Sequence, residues 1–277
     1  MALGLVLHIP HSSTTIPIEY RSHFLLDDRA LDQEILHMTD WHTGHLFKLP
    51  DAQHIVFPVS RLLVDPERFL DEDQEVMAAM GMGVIYTRTS GGEPLRVPPS
   101  TEERVQLIDR YYRPHHRKLS KAVEATLDQH GCALVIDCHS FPSQPLPCDL
   151  DQDPIRPDLC IGTDSFHTPE WLRDATISSF QSEDSGLTIG VDRPYSGALV
   201  PLKAWGRDPR VLAVMIEVNR RLYLDEATGH PSDRYPAIQV LLRNAILRLV
   251  NASMVHFRCG PVTWPPLVHP GPYRVRA

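Results

Sequence analysis

Two histidines stand where two apolar runs end. Leu3 to Ile9 leads into Pro10-His11-Ser12, and Cys132 to Ile136 leads into Asp137-Cys138-His139-Ser140. Imidazole is a preferred ligand of divalent zinc, and a catalytic zinc takes three protein ligands and keeps a fourth position open. His11 and His139 are therefore candidate ligands, and Asp40 is the best nearby acid on pattern. No HExxH or HxxE pair supports them, since Thr14 occupies the place where His11 would need a glutamate. Either histidine alone reads equally well as a hydrogen-bonded loop residue; the two together favour a metal.

Hydrolysis at such a centre also needs a base. Glu217 ends the apolar run Val211 to Ile216 and precedes Val218-Asn219-Arg220-Arg221. A carboxylate at the end of a buried strand is costly unless it is paired or functional, so it is either a general base or the partner of Arg220 or Arg221. Arginines form a third set. Arg61 and Arg68 flank Leu62-Leu63-Val64-Asp65-Pro66-Glu67, and a guanidinium fork there could hold a carboxylate bidentately. Internal pairing with Asp65 and Glu67 is the competing reading. Arg113-Pro114-His115-His116-Arg117 is a further basic cluster.

Other chemistries fit less well. Cys138 adjoins His139, but neighbouring strand residues point to opposite faces, which disfavours a thiol-imidazole pair. No GxSxG elbow, GxGxxG or P-loop is present. His37, His42 and His45 could bind a metal or simply form a solvated face.

Positioning these groups requires a sheet. The strand expectations are Leu3–Ile9, Ile55–Val59, Val84–Thr87, Ala133–Asp137, Leu187–Ile189 and Val211–Val218. Intervening helical patterns make the fold a single α/β domain with a mixed, mostly parallel sheet flanked by helices on both faces. In such sheets ligands bind beyond the carboxyl ends of the strands, where two distant histidines can meet. A first helix starts near Asp27 or Asp28 and carries Leu31, Ile35, Trp41 and Leu46. Ser100 and Glu103 form a capping box for a second, which reaches about Gln129 with a kink or break at Pro114. Thr168-Pro169 opens a third, and Tyr235 to Val250 forms the last. Residues 1–259 form the domain and 260–277 a proline-rich tail.

The net charge of -8 and the pI near 6.0 argue against a nucleic-acid surface. No run approaches the length of a membrane span, and the N-terminus lacks the marks of a signal peptide. Five cysteines without CxxC spacing read as reduced thiols, which points to the cytoplasm. The oligomeric state is left open.

Six segments, in order, resemble the N-formylglutamate amidohydrolase family from about His8 to Tyr223. They are Ile9-Pro10-His11-Ser12, Met38-Thr39-Asp40-Trp41, Val59 to Phe69, Tyr112-Arg113-Pro114-His115, Ile136 to Ser140, and Arg193-Pro194-Tyr195-Ser196-Gly197. The resemblance implies a fold similar to zinc carboxypeptidases and one Zn2+ per chain. It implies release of formate from N-formyl-L-glutamate, as in histidine degradation, with an acylated acidic amino acid as the small-molecule partner. By that likeness His11, Asp40 and His139 are metal ligands, Glu217 is the general base and Asp137 orients a ligand histidine. Arg61, Arg68, Arg113 and Arg193 are then the available carboxylate binders. Two alternatives stand beside this: an amidohydrolase of another N-acyl amino acid or short peptide, and a non-catalytic dicarboxylate-binding protein.

Overall fold

A computed structural model describes residues 4–258. The proline-rich tail and Cys259 lie outside the described residues. Six strands form one sheet in the order β2-β1-β3-β6-β4-β5: β1 (Gly4–Ile9), β2 (Gln53–Val56), β3 (Ala133–Phe141), β4 (Leu159–Gly162), β5 (Ile189–Val191) and β6 (Val211–Asn219). Every pairing is parallel except β4 with β6. This is the single mixed sheet that the sequence predicts. All nine residues of β3 and all nine of β6 are buried, as suits parallel strands covered on both faces.

The period-two alternation of the central strands sorts the core into two layers. Leu134, Ile136 and Cys138 of β3, with Leu212, Val214 and Ile216 of β6, pack against α5 (Glu170–Glu183) and α6 (Tyr235–Arg258) through Leu172, Phe180, Leu242 and Ile246. Ala133 and Val135, with Ala213 and Met215, face Leu119, Ala122 and Val123 of α4 (Arg113–His130). Truncating a side chain such as Ile136 to alanine here costs about 2–5 kcal/mol.

The helix preceding α4 begins as the sequence predicts. Ser100 accepts from the Glu103 amide while Glu103 accepts from the Ser100 amide, and α3 (Thr101–Leu107) follows. The interruption at Pro114 takes the form of a π-turn over Ile108–Tyr112, after which Pro114 sits in the first turn of α4, where its missing N–H is harmless.

Two strands are shifted, Ile55–Val59 to Gln53–Val56 and Leu187–Ile189 to Ile189–Val191, and four further elements differ from the sequence expectation. The first helix ends early: α1 (Asp28–Met38) stops at Thr39, and His42 at φ 62° turns the chain into the single turn α2 (Thr43–Leu46), so Trp41 is not helical. Val84–Thr87 is buried but is not a sheet strand, because its backbone bonds locally to Asp65, Gly81 and Leu95. Leu159–Gly162 is a strand that the pattern does not announce. The last helix runs on to Arg258. A short pair, β7 (Leu224–Asp225) and β8 (His230–Pro231), follows β6.

Candidate active site

Strand parity places four chemical groups on one face. Asp137 and His139 continue the α4-facing series of β3, Glu217 continues that of β6, and His8 follows Val6 in β1. Register aligns them, since His8 pairs with Asp137 and His139 with Glu217. Asp137 Oδ1 lies 2.8 Å from His8 Nδ1 and 3.1 Å from His139 Nε2, while its Oδ2 accepts from the Leu199 amide at 2.8 Å. Asp137 thus lies between His8 and His139.

Three loops add the remaining groups above the carboxyl ends of β1 and β3. His11 follows β1, and its carbonyl accepts from the amide of Asp40 at 3.0 Å, tying the turn after α1 to the strand end. Asp40 Oδ2 accepts from His139 Nδ1 at 2.9 Å and lies 3.7 Å from His11 Nδ1. Asp65 Oδ1 is 2.9 Å from His11 Nε2, and its other oxygen accepts from Tyr86 Oη at 2.6 Å and Arg61 at 2.9 Å. Burial alone would raise the Asp65 carboxyl, but His11, Arg61 and Arg68 outweigh it and hold the group well below the usual carboxylate range. The start of α4 grips the segment around Glu67 on both sides: His116 Nε2 donates to Pro66 O at 2.7 Å, and Tyr112 Oη donates to Arg68 O at 3.0 Å.

The outcome is a convergence of His11, Glu67 and His139, whose donor atoms lie within 4.8 Å of one another. Glu67 Oε2 is 3.3 Å from His139 Nε2 and 3.7 Å from His11 Nδ1. Each imidazole is held from behind by a carboxylate, His11 by Asp65 and His139 by Asp40, and each turns its other nitrogen toward the centre, where that of His139 also lies 3.1 Å from Asp137 Oδ1. A ligand histidine is oriented in this way at metal sites. His11 Nδ1 is buried with no hydrogen-bond partner, as is Glu67 Oε1. Burial would lower the His139 pKa, but Glu67, Asp137 and Asp40 raise it well above the ordinary value, so the surroundings demand positive charge. These residues fit a divalent cation. A second group, His8, Glu67 and Asp137, satisfies the same distance criterion.

Glu217 completes the floor. It is buried, and its Oε2 has no hydrogen-bond partner. Neither arginine offered by the sequence takes it: Arg221 pairs with Asp158 at 2.9 Å, and Arg220 Nη1 donates to His37 O at 2.7 Å while Nη2 lies 3.5 Å from Asp40. Burial, reinforced by Asp40 and Glu67 and opposed by His139 and Arg220, pushes the Glu217 carboxyl up to about 8.

These groups line one cavity of about 540 Å³ together with Arg61, Arg68, Arg193 and Arg220. Arg61 is paired with Asp65, as the competing reading held, yet still lines the wall. Arg193 pairs with Asp151 at 2.8 Å and with Asp153. Arg68 Nε lies 3.6 Å from Asp65 and is buried without a hydrogen-bond partner. Arg113 lies elsewhere. It is more than half exposed and pairs with Asp109 at 2.7 Å, on the side of α4 away from buried His115 and Leu119.

The family model for N-formylglutamate amidohydrolase matches residues 3–224. The chain belongs to the N-formylglutamate amidohydrolase family. Its relatives include the N-formylglutamate deformylase of Pseudomonas putida, 24% identical over 256 residues that cover 90% of this chain and 92% of that one. The enzyme of the same name in Pseudomonas aeruginosa is 23% identical over 254 residues, 89% and 92% of the two chains. The fold is shared with the crystal structure of N-formylglutamate amidohydrolase from Ralstonia eutropha JMP134, at a TM-score of 0.73 and 24% identity over 93% and 95% of the chains. A gene product of Agrobacterium tumefaciens gives 0.61 and 19% over 91% and 93%.

Sequence reasoning left two residues out of the candidate site of this N-formylglutamate amidohydrolase family member. Glu67 reads in sequence as the ion partner of Arg61 or Arg68, and only the folding of the 57–70 segment over His139 shows otherwise. Arg220 reads as the partner of Glu217 but turns back to His37 and Asp40.

Proposed function

We propose that this protein hydrolyses the formamide bond of N-formyl-L-glutamate to L-glutamate and formate, with one Zn2+ per chain. The carrying observation is the convergence of His11 Nδ1, His139 Nε2 and Glu67 beside the partnerless carboxyl of Glu217, in a cavity lined with guanidiniums. His11, His139 and Glu67 would hold the ion, with Asp40 and Asp65 orienting the two imidazoles. Asp40, the acid expected from the resemblance, stays within 3.7 Å of His11 and is the alternative third ligand. The ion would supply Lewis-acid activation of the amide carbonyl and of water.

The chain's own residues do the rest. Arg68, Arg61, Arg193 and Arg220 hold the substrate carboxylates, so that the amide carbon lies over the histidines. Glu217 takes a proton from the attacking water. The water oxygen bonds to the acyl carbon, the C–N bond breaks, and the proton passes from Glu217 to the leaving amine. Asp137 Oδ1 would give up His139 Nε2 to the ion and keep its contacts with His8 and, through Oδ2, the Leu199 amide. Four buried free thiols support a reducing compartment, and no helix among the described residues is long and apolar enough to cross a membrane. A cytoplasmic place in histidine breakdown fits both.

The test is metal content of the purified chain together with formate release before and after chelation. About one zinc per chain with chelator-sensitive formate release is expected; metal-independent release, or none, sinks the proposal.

A further inference from the structure

One wall of the cavity is built for something other than charge. Met38, Met77, Met82, Leu146 and Cys148 line it, and all five belong to a single contiguous hydrophobic cluster. At the rim stand Val76 and Leu150, which also line the cavity and are 43% and 49% exposed. Isolated exposed apolar side chains are ordinary, but these two line the same cavity as the buried apolar group. Methionine is flexible and polarizable, which suits a surface that must fit ligands of varying shape.

The volume points the same way. About 540 Å³ lies within the range of about 300–1,000 Å³ that takes drug-sized ligands. N-formyl-L-glutamate is a short dicarboxylate with a one-carbon acyl group, and its two side-chain methylenes cover little of a wall of this extent. The guanidiniums serve the two carboxylates of the amino-acid half. The acyl half is what remains to fill the apolar side.

We infer that the protein has a further activity on N-acyl-L-glutamates whose acyl group is an unbranched aliphatic chain, of which hexanoyl is the test case. The inference rests on the amidohydrolase reading of the site and uses the same step. Water oxygen joins the acyl carbon, the amide C–N bond breaks, the amine receives the proton held by Glu217, and the products are the aliphatic carboxylate and glutamate.

The experiment compares kcat/KM of the full chain for N-formyl-, N-acetyl-, N-butyryl- and N-hexanoyl-L-glutamate and for N-formyl-L-leucine, read as release of the free amino acid. From acetyl to hexanoyl the value is expected to climb by up to about fourfold for each methylene buried, passing that of the formyl compound. Leu150→Ser, at an exposed rim position where folding is not at risk, is expected to lower the hexanoyl-to-formyl ratio by about tenfold. Calorimetric binding to Glu217→Gln should rank the glutamates in the same order without turnover. A steady fall from formyl to hexanoyl overturns the inference while leaving the amidohydrolase reading intact. So does N-formyl-L-leucine outrunning N-hexanoyl-L-glutamate, because the wall then faces the amino-acid side chain. No hydrolysis of any member overturns both.

Discussion

His139 and Glu217 are register partners in the central strand pair, His139 in β3 and Glu217 in β6. Partners in a parallel ladder leave the sheet on the same face, so an imidazole and a carboxyl are held side by side by two wholly buried strands. Glu217→Gln preserves this shape and removes only the proton-accepting oxygen. It should lower kcat by about 10²–10⁴-fold while metal content, measured by mass spectrometry, stays at the wild-type ratio.

The same carboxyl sets a pH dependence. Burial pushes it up to about 8, and a base works only when deprotonated, so kcat/KM should rise with pH along a limb at or below about 8. A cation beside Glu217 favours the charged form and moves that limb to lower pH. A pH profile without an acid limb would remove Glu217 from the base role.

Asp40 and Glu67 can be told apart by how metal is lost. Asp40→Asn weakens the support behind His139 and should reduce zinc affinity by about 10–100-fold, with full occupancy recovered in excess zinc. Glu67→Ala removes a donor at the centre and should leave the chain short of stoichiometric metal even then. The reverse ranking would make Asp40 the third ligand.

The arginines divide by position. Arg68→Ala should lower kcat/KM for a dicarboxylate substrate by about 10–100-fold, the worth of a hydrogen bond to a charged group. Arg113→Ala should leave it unchanged, since Arg113 faces solvent against Asp109. Steady-state kinetics of the two variants decides this, and equal losses would contradict the cavity assignment.

Asp158 offers a stability test away from the chemistry. It accepts from the Thr188 amide and hydroxyl and from Arg221, joining the β4 and β5 ends to the turn after β6. Burial opposes ionisation, but these partners outweigh it and keep the carboxyl below its ordinary value. A depressed folded-state pKa stabilises above the unfolded value and is lost as pH falls through the folded one. Asp158→Ala should therefore cost about 1–3 kcal/mol near pH 7, and denaturation curves of the two proteins should begin to converge only as pH falls below about 4.

The sheet was legible in the sequence where strands are long and apolar. Ala133, Val211 and the start of the chain announce themselves because both faces of those strands are covered. Leu159–Gly162 was not legible, since a strand of four residues carries too short a pattern to show a period, and its antiparallel place is set by contact with β6. Val84–Thr87 misled for the opposite reason: it is as buried as a strand, but its amides and carbonyls are used in local turns. In the site, His11, His139 and Glu217 follow from strand ends and from the anomaly of a buried charge. Glu67 does not, because Pro66 and its neighbours are held over His139 by Tyr112 at the end of the π-turn and His116 in α4. Arg113 shows the limit of reading charge without orientation, as two residues along a helix turn a guanidinium from the buried face to the solvent.

The full burial of β3 and β6 has a consequence for how this protein opens. Strands covered on both faces exchange their amide hydrogens only when the whole domain unfolds, whereas loops with exposed hydrogen bonds exchange by small local openings. His139 and Glu217 are thus mounted on strands expected to exchange slowest, whereas Leu150 stands half exposed in the connection between β3 and β4. Of the apolar side chains lining the cavity, Leu150 and Val76 are the half-exposed ones, so substitutions there disturb the buried strands that carry His139 and Glu217 least.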